Sequence, residues 1–217
     1  MPGMNSLPLP AVLELLDELP EKYACLAAIG VTTGCRITEL LLLQRHELLS
    51  RDGVIKPEIA FVKLKSREKN KIVHRKLSIP DEYHKFIYAN LVKEEQRGCD
   101  MPNDWVFRGQ NGKPLSRHTA YNTFRKLLGS GYGTHWMRKT FAQEIFKFFL
   151  EDNVKDPMRA LELTRRALEH ARLDTTVKYL GINETALKKA QNTIFSRVIK
   201  YLIPEERIPS QPQVARI

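Results

Sequence analysis

Six side chains in this 217-residue sequence combine types that suit one chemistry: Arg36, Lys65, His135, Arg138, His170 and Tyr179. Together they are what phosphodiester transfer without a metal requires. A phosphorane-like transition state carries extra negative charge on its nonbridging oxygens, and two arginines can clamp those oxygens bidentately. A phenol ordinarily titrates at about 10, so it attacks near neutral pH only when deprotonated or strongly hydrogen-bonded. Histidine is the side chain poised to assist it. The departing sugar oxygen is a poor leaving group, and a lysine on a hairpin can give it a proton.

Each residue also has a plain reading. Arg36 and Glu39 are three apart on one helical face, the spacing of a nearly neutral surface pair. Yet Arg36 follows Thr-Thr-Gly-Cys and precedes a leucine run, where a partly buried guanidinium needs an anion. His135 and Arg138 lie one turn apart near a helix start, which favours an anion, although H-x-x-R alone is a weak pattern. Lys65 belongs to a run with Lys63, Arg67, Lys69 and Lys71, which reads as a solvated face or a phosphate-contact strip. Alone, Tyr179 reads as a core aromatic and His170 as a helix-end histidine. Nine residues separate them, so one continuous helix would set them on opposite faces. Asp174-Thr175-Thr176 reads instead as an N-cap opening a short helix that Gly181 ends, which lets both side chains turn to one site.

The elements that must position these residues form a mixed α/β fold, mainly α-helical with a small antiparallel sheet. Residues 10–19 read as a short amphipathic helix, and residues 21–33 as a strongly apolar one stopped by Gly34. Residues 36–44 read as a further helix with Leu40, Leu41 and Leu43 inward. Residues 58–65 alternate, with Ala60, Val62 and Leu64 on one face and Phe61, Lys63 and Lys65 on the other, polar face. Residues 72–79 return as the second strand, and Asp81 opens a helix to about residue 97. A loop region over 98–114 surrounds Trp105-Val106-Phe107, and Ser116 caps a helix to Leu128. Thr134 is expected to cap a long helix over 135–150 whose buried stripe is Met137, Phe141, Ile145 and Phe148. A basic amphipathic helix follows over 156–170. Asn183 is expected to cap a last helix to about Leu202, and the proline-bearing residues 204–217 read as a tail.

Composition narrows the function. The net charge of +10 points to a polyanion such as nucleic acid. Cys25, Cys35 and Cys99 show no C-x-x-C spacing, which argues against a disulfide framework and a zinc cluster and for a reducing compartment. The amino end lacks signal-peptide features, and no uncharged apolar run approaches the ~18 residues of a membrane span. A cytoplasmic, nucleoid-associated location is expected. No D-x-D, H-E-x-x-H or P-loop pattern is present, so no metal, ATP or other cofactor is expected.

These residues make the chain resemble the tyrosine recombinases: phage integrases, Cre, the Xer proteins and the fimbrial-switch invertases. Thr33-Gly34-Cys35-Arg36-Ile37-Thr38-Glu39-Leu40 resembles the family's T-G-x-R-x-x-E-L box. Thr134-His135-Trp136-Met137-Arg138-Lys139-Thr140-Phe141-Ala142 resembles its H-x-L-R-x-T-x-A box. Leu168-Glu169-His170, then Thr175-Thr176 and Tyr179, is similar to L-G-H…T-T…Y. The hairpin resembles the one that carries the family's catalytic lysine; Lys65 holds that place best, with Lys63 and Lys69 as alternatives. Two departures stand out: Glu169 replaces the usual glycine, and residues 151–167 are longer than is common.

By this resemblance Tyr179 is the nucleophile and forms a 3′-phosphotyrosyl link to DNA. Arg36 and Arg138 hold the phosphate, His135 and His170 manage protons and hydrogen bonds, Lys65 protonates the 5′ oxygen, and Glu39 orients Arg36. The hairpin residues Lys63, Arg67, Lys69 and Lys71 are expected to contact DNA. Residues 1–190 are expected to form the catalytic domain, and residues 191–217 a helix end and tail available to dock on a neighbouring subunit. The resemblance implies double-stranded DNA at a specific site, a homo-tetramer on that DNA, and accessory or directionality proteins. The chain reads as the catalytic part of a larger protein or as a naturally short member. A type IB topoisomerase, a telomere resolvase and a non-catalytic DNA-binding accessory protein are the competing readings.

Overall fold

Proline and glycine set the first boundaries. The computed structural model describes residues 5–63, 73–98, 101–154 and 156–181. Among them the order is α1 (Leu9–Glu18), α2 (Glu21–Thr33), α3 (Ile37–Leu40), α4 (Arg45–Leu48), β1 (Ile59–Lys63), β2 (Val73–Leu77), α5 (His84–Glu95), α6 (Arg117–Leu128), α7 (Trp136–Phe148), α8 (Pro157–Ala167) and α9 (Leu173–Leu180). The mainly helical fold with one antiparallel hairpin is as the sequence predicts.

Helix α2 is the axis of the core. Pro20 precedes it, Gly34 closes it, and Ala24 to Val31 are all buried. A helix apolar on every side needs partners on every side, and α1, α5 and α7 supply them. Gly30 lets α7 come close: a Cβ there would sit 2.6 Å from the Met137 sulfur. Gly34 has two reasons to be glycine. Its φ is 61°, the left-handed region, and a Cβ would meet the Phe141 ring at 2.3 Å.

The buried side chains form two clusters. The larger gathers α1, α2, α5, α6, the hairpin and the start of α7, with Trp136 and Met137 inside it. The smaller joins Ala142 of α7 to Leu161, Leu168 and Leu180, with Phe141, Val177 and Tyr179 packed against it. Helix α7 therefore bridges the two clusters, and Arg138 lies where it passes from one to the other.

Several local expectations are corrected. The helix expected over 36–44 is a single turn, α3. Glu39 reaches back to the Arg36 N–H at 2.8 Å, and after Leu40 the chain turns so that Gln44 bridges to Trp105. A second acid, Glu47, repeats that cap at the Gln44 N–H, 2.8 Å away, and opens α4. In the hairpin, β1 pairs with β2 from Ile59↔Leu77 to Lys63↔Val73. Ile59 and Phe61 are the buried positions, so the face expected to be polar is the one that packs on the core.

Helix α7 starts one residue later than expected, with His135 rather than Thr134 at the N-cap position and no side-chain cap bond. Its buried residues are Trp136, Met137, Arg138, Thr140 and Ala142 rather than a single stripe, because α7 touches both clusters. Phe148 is exposed, stacking edge-on against Phe149 where α7 gives way to the π-helical turn Phe149–Val154. Ser116 does cap α6, accepting from the Thr119 N–H at 3.0 Å. Cys25 and Cys35 are buried and form no disulfide. Cys99, the helix expected over 183–202 and the tail over 204–217 lie outside the described residues, as does the proposed 191–217 docking segment.

Candidate active site

Arg138 is placed by the first turn of α7 and is almost wholly buried. Its guanidinium donates to the carbonyls of Gly34 and Leu168. Those carbonyls are the C-caps of α2 and α8, the negative ends of two helix dipoles. A buried cation is tolerable there because oriented dipoles help to solvate it. The same bonds draw the Gly34 turn and the end of α8 to one point.

Arg36 follows the Gly34 turn directly. Its Nη1 donates to Glu39 Oε1 at 3.1 Å while its backbone N–H donates to Oε2 of the same carboxylate. Glu39 is buried, and about a quarter of the Arg36 side chain stays exposed. One carboxylate thus fixes both the backbone and the head group of Arg36.

Helix α8 ends at Ala167, and the chain reaches His170 through a strained step. Glu169 has φ 52°, the positive-φ non-glycine residue among those described. It occupies the position where the resembling motif has glycine, and the backbone keeps the glycine conformation at a cost of roughly 1–2 kcal/mol. Arg165 holds the far side of the turn, donating to the His170 carbonyl at 2.6 Å and accepting from its N–H at 3.0 Å. The buried His170 ring places Nδ1 3.0 Å from the Thr176 hydroxyl. Burial first, then the charges of Arg138, Arg36 and Arg165, lower its pKa to about 4. His170 is neutral at pH 7.

The break between His170 and Tyr179 exists, slightly upstream of its expected place. Arg172, extended, precedes α9, and Asp174 lies in the first turn and pairs with Arg172 at 2.7 Å rather than capping the helix. Gly181 ends α9 in the left-handed conformation at φ 69°, as expected. The half-buried Tyr179 then turns back between two histidines. Its ring centroid lies 5.0 Å from that of His170 and 6.3 Å from that of His135, both edge-on. Its hydroxyl is 3.0 Å from His135 Nδ1. His135 is exposed as a residue, but its ring lies against Tyr179. That desolvation, followed by the charges of Arg117, Arg138 and Arg36, lowers its pKa.

Five of the six singled-out side chains therefore converge, with Glu39 behind Arg36. Lys65, Arg67, Lys69 and Lys71 lie outside the described residues, and Lys63 closes β1 opposite Val73. Three neighbours escaped the sequence reading. Arg117 opens α6, Arg165 braces His170, and Thr176 contacts its ring. Thr176 stands inside the T-T…Y pattern, but nothing in its spacing marks a histidine partner. Among the described residues, no cluster of three or more metal-ligating side chains occurs.

A tyrosine between two histidines and beside two arginines, on a helical scaffold with one antiparallel hairpin, is the arrangement of a tyrosine recombinase catalytic domain. The chain belongs to the phage integrase family, whose model matches residues 8–186. Its fold is similar to that of XerH recombinase bound to palindromic difH substrate in a post-cleavage complex, with TM-score 0.60 and 20% identity over 87% of this chain and 52% of that one. XerA recombinase matches with TM-score 0.59 and 19% identity over 87% of this chain and 64% of that one. The Tn1549 transposon integrase in complex with transposon right end DNA matches with TM-score 0.56 and 16% identity over 88% and 66%. The chain thus spans about half to two thirds of these proteins. No curated protein matches it by sequence, and no described helix is long and apolar enough to cross a membrane.

Proposed function

We propose that the chain cleaves and rejoins double-stranded DNA at a specific site as the catalytic part of a tyrosine recombinase. The observation that carries this reading is the 3.0 Å contact between the Tyr179 hydroxyl and His135 Nδ1, with His135 held towards its neutral form. A neutral Nδ1 without a hydrogen accepts the phenolic proton as Tyr179 Oη attacks phosphorus. The new bond joins Oη to the phosphate, and the bond to the 5′ oxygen breaks. Arg36 and Arg138 stabilise the charge on the nonbridging oxygens, and His170, neutral and fixed by Thr176, donates or accepts a hydrogen bond beside them.

The 5′ oxygen leaves with a proton from the hairpin lysine, assigned to Lys65. The phosphotyrosyl link conserves the energy of the broken bond, so a 5′-hydroxyl of a second duplex reverses the step without cofactor. The +10 charge suits a DNA partner, and the XerH and Tn1549 relatives are seen with DNA. Assembly as a homo-tetramer in the cytoplasm, with accessory proteins and with residues 191–217 docking on a neighbour, belongs to the same proposal.

A suicide duplex nicked near the crossover point tests it. The nicked strand diffuses away after attack, so the protein stays covalently attached to DNA. Attachment that disappears in Tyr179→Phe is expected; undiminished attachment in that variant overturns the assignment of the nucleophile.

A further inference from the structure

We propose a second anion site, for a phosphate group, in the cavity between α4 and the turn that follows it. The cavity has a volume of about 480 Å³ and is lined by Arg45, His46, Leu49, Arg51, Gly53 and Lys56 among others. Its charged lining residues are all basic. None of them belongs to the set around Tyr179.

The site is built rather than incidental. The Arg45 side chain is about nine-tenths buried, its Nη2 pairs with Glu95 at the rim, and its buried Nη1 has no hydrogen-bond partner. Burying a guanidinium nitrogen unpaired is costly, and a turn of the Arg45 head group towards an oxyanion in the cavity would offset that cost. Lys56 donates once, to the His46 carbonyl at 2.6 Å, which leaves it two further N–H donors. His46 uses Nδ1 on the Pro102 carbonyl at 3.0 Å and keeps Nε2 for another partner. Arg51 is exposed and forms no ion pair with a described residue. Gly53, at φ 80° and with nothing within 4 Å of where a Cβ would sit, turns the chain beside the cavity.

The lining thus offers donors from three cations, with the carboxylates of Glu95 on Arg45 and of Asp52 on Ser50 beside them. A compact phosphate fits that balance, either free or as a phosphodiester of DNA passing over this face. The second source would extend the DNA contact surface beyond the catalytic cleft.

Histidine NMR on the full chain separates the two sites, because His46 reports the cavity while His135 and His170 report the cleft. Titration with inorganic phosphate is expected to move His46 to saturation. In the double variant Arg51→Ala, Lys56→Ala the dissociation constant should rise at least about tenfold, as for losing charge-assisted hydrogen bonds. These two residues are on the surface, so the fold is retained and the cleft histidines serve as the internal control. Displacement of phosphate from His46 by a short duplex identifies the source as DNA; an undisturbed His46 response while His135 and His170 move identifies free phosphate. A His46 shift that never saturates, or that is the same in the double variant, means an adventitious ion only and overturns the proposal.

Discussion

The Tyr179 hydroxyl lies 3.0 Å from Nδ1 of His135, across 44 residues of sequence and between two helices that share only a small apolar cluster. His135 stands at the start of α7 and Tyr179 near the end of α9, so the contact holds only while α9 stays docked.

That contact sets a pH dependence. His135 has its pKa lowered by desolvation and then by Arg117, Arg138 and Arg36, so the neutral base persists below the ordinary histidine value. Covalent attachment to a nicked duplex should stay level as pH falls through about 6.5 and decline only below it. Arg117→Ala removes one of the depressing charges and should move that decline to higher pH. His135→Asn should lower the attachment rate by about 10²–10⁴-fold.

His170 should make stability pH-dependent. Its folded pKa, about 4, lies below its unfolded value, so the unfolded chain takes up the proton first as pH falls. Its contribution is fully present above about 6.5 and is lost progressively down to about 4. Urea midpoints measured from pH 8 to pH 4 should fall more steeply for the wild type than for His170→Gln.

Thr176→Val should leave His170 Nδ1 buried without its partner, at a cost of about 1–3 kcal/mol in urea unfolding. Thr176→Ser keeps the hydroxyl and should recover most of that loss. Equal losses in the two variants would point to packing rather than the hydrogen bond.

Glu169→Gly relieves a left-handed residue and should raise stability by up to about 1 kcal/mol, seen as a higher Tm. A fall in Tm would mean that contacts of the Glu169 side chain outweigh the backbone strain.

Arg138→Lys keeps the charge but cannot reach two carbonyls in a fixed fork. The Gly34 and Leu168 carbonyls lose their shared donor, so both covalent attachment and unfolding stability should drop, the latter by about 1–3 kcal/mol. Glu39→Gln should affect attachment more than stability, because it still accepts from the Arg36 N–H but no longer balances the guanidinium.

Much of this site is legible residue by residue because its signals are local. Gly34 and Gly181 mark helix ends through conformations that other residues resist, and Ser116 marks one helix start through its own hydroxyl. Glu39 could be paired with Arg36 by counting three positions. Local signals also mislead where packing overrules them. Thr134 has the right type for a cap but is buried, and His135 takes the cap position. Phe148 follows the stripe of α7, yet the π-helical turn after it leaves it exposed. Phe61 alternates with Ala60 and Val62, but alternation alone does not say which face meets the core.

The residue types and their order on the chain already specify the family, the mainly helical fold and the break that frees Tyr179 from the face opposite His170. They do so because glycine conformations, caps and helical periodicity act within a few residues. The tertiary structure decides the rest: which carbonyls hold Arg138, which histidine faces the tyrosine hydroxyl, and that Thr176 fixes the other. Gly34 and Leu168 lie 104 and 30 residues from Arg138, and no periodicity links such positions. Packing α7 between two apolar clusters brings them together, and the electrostatics of the site follow from that convergence.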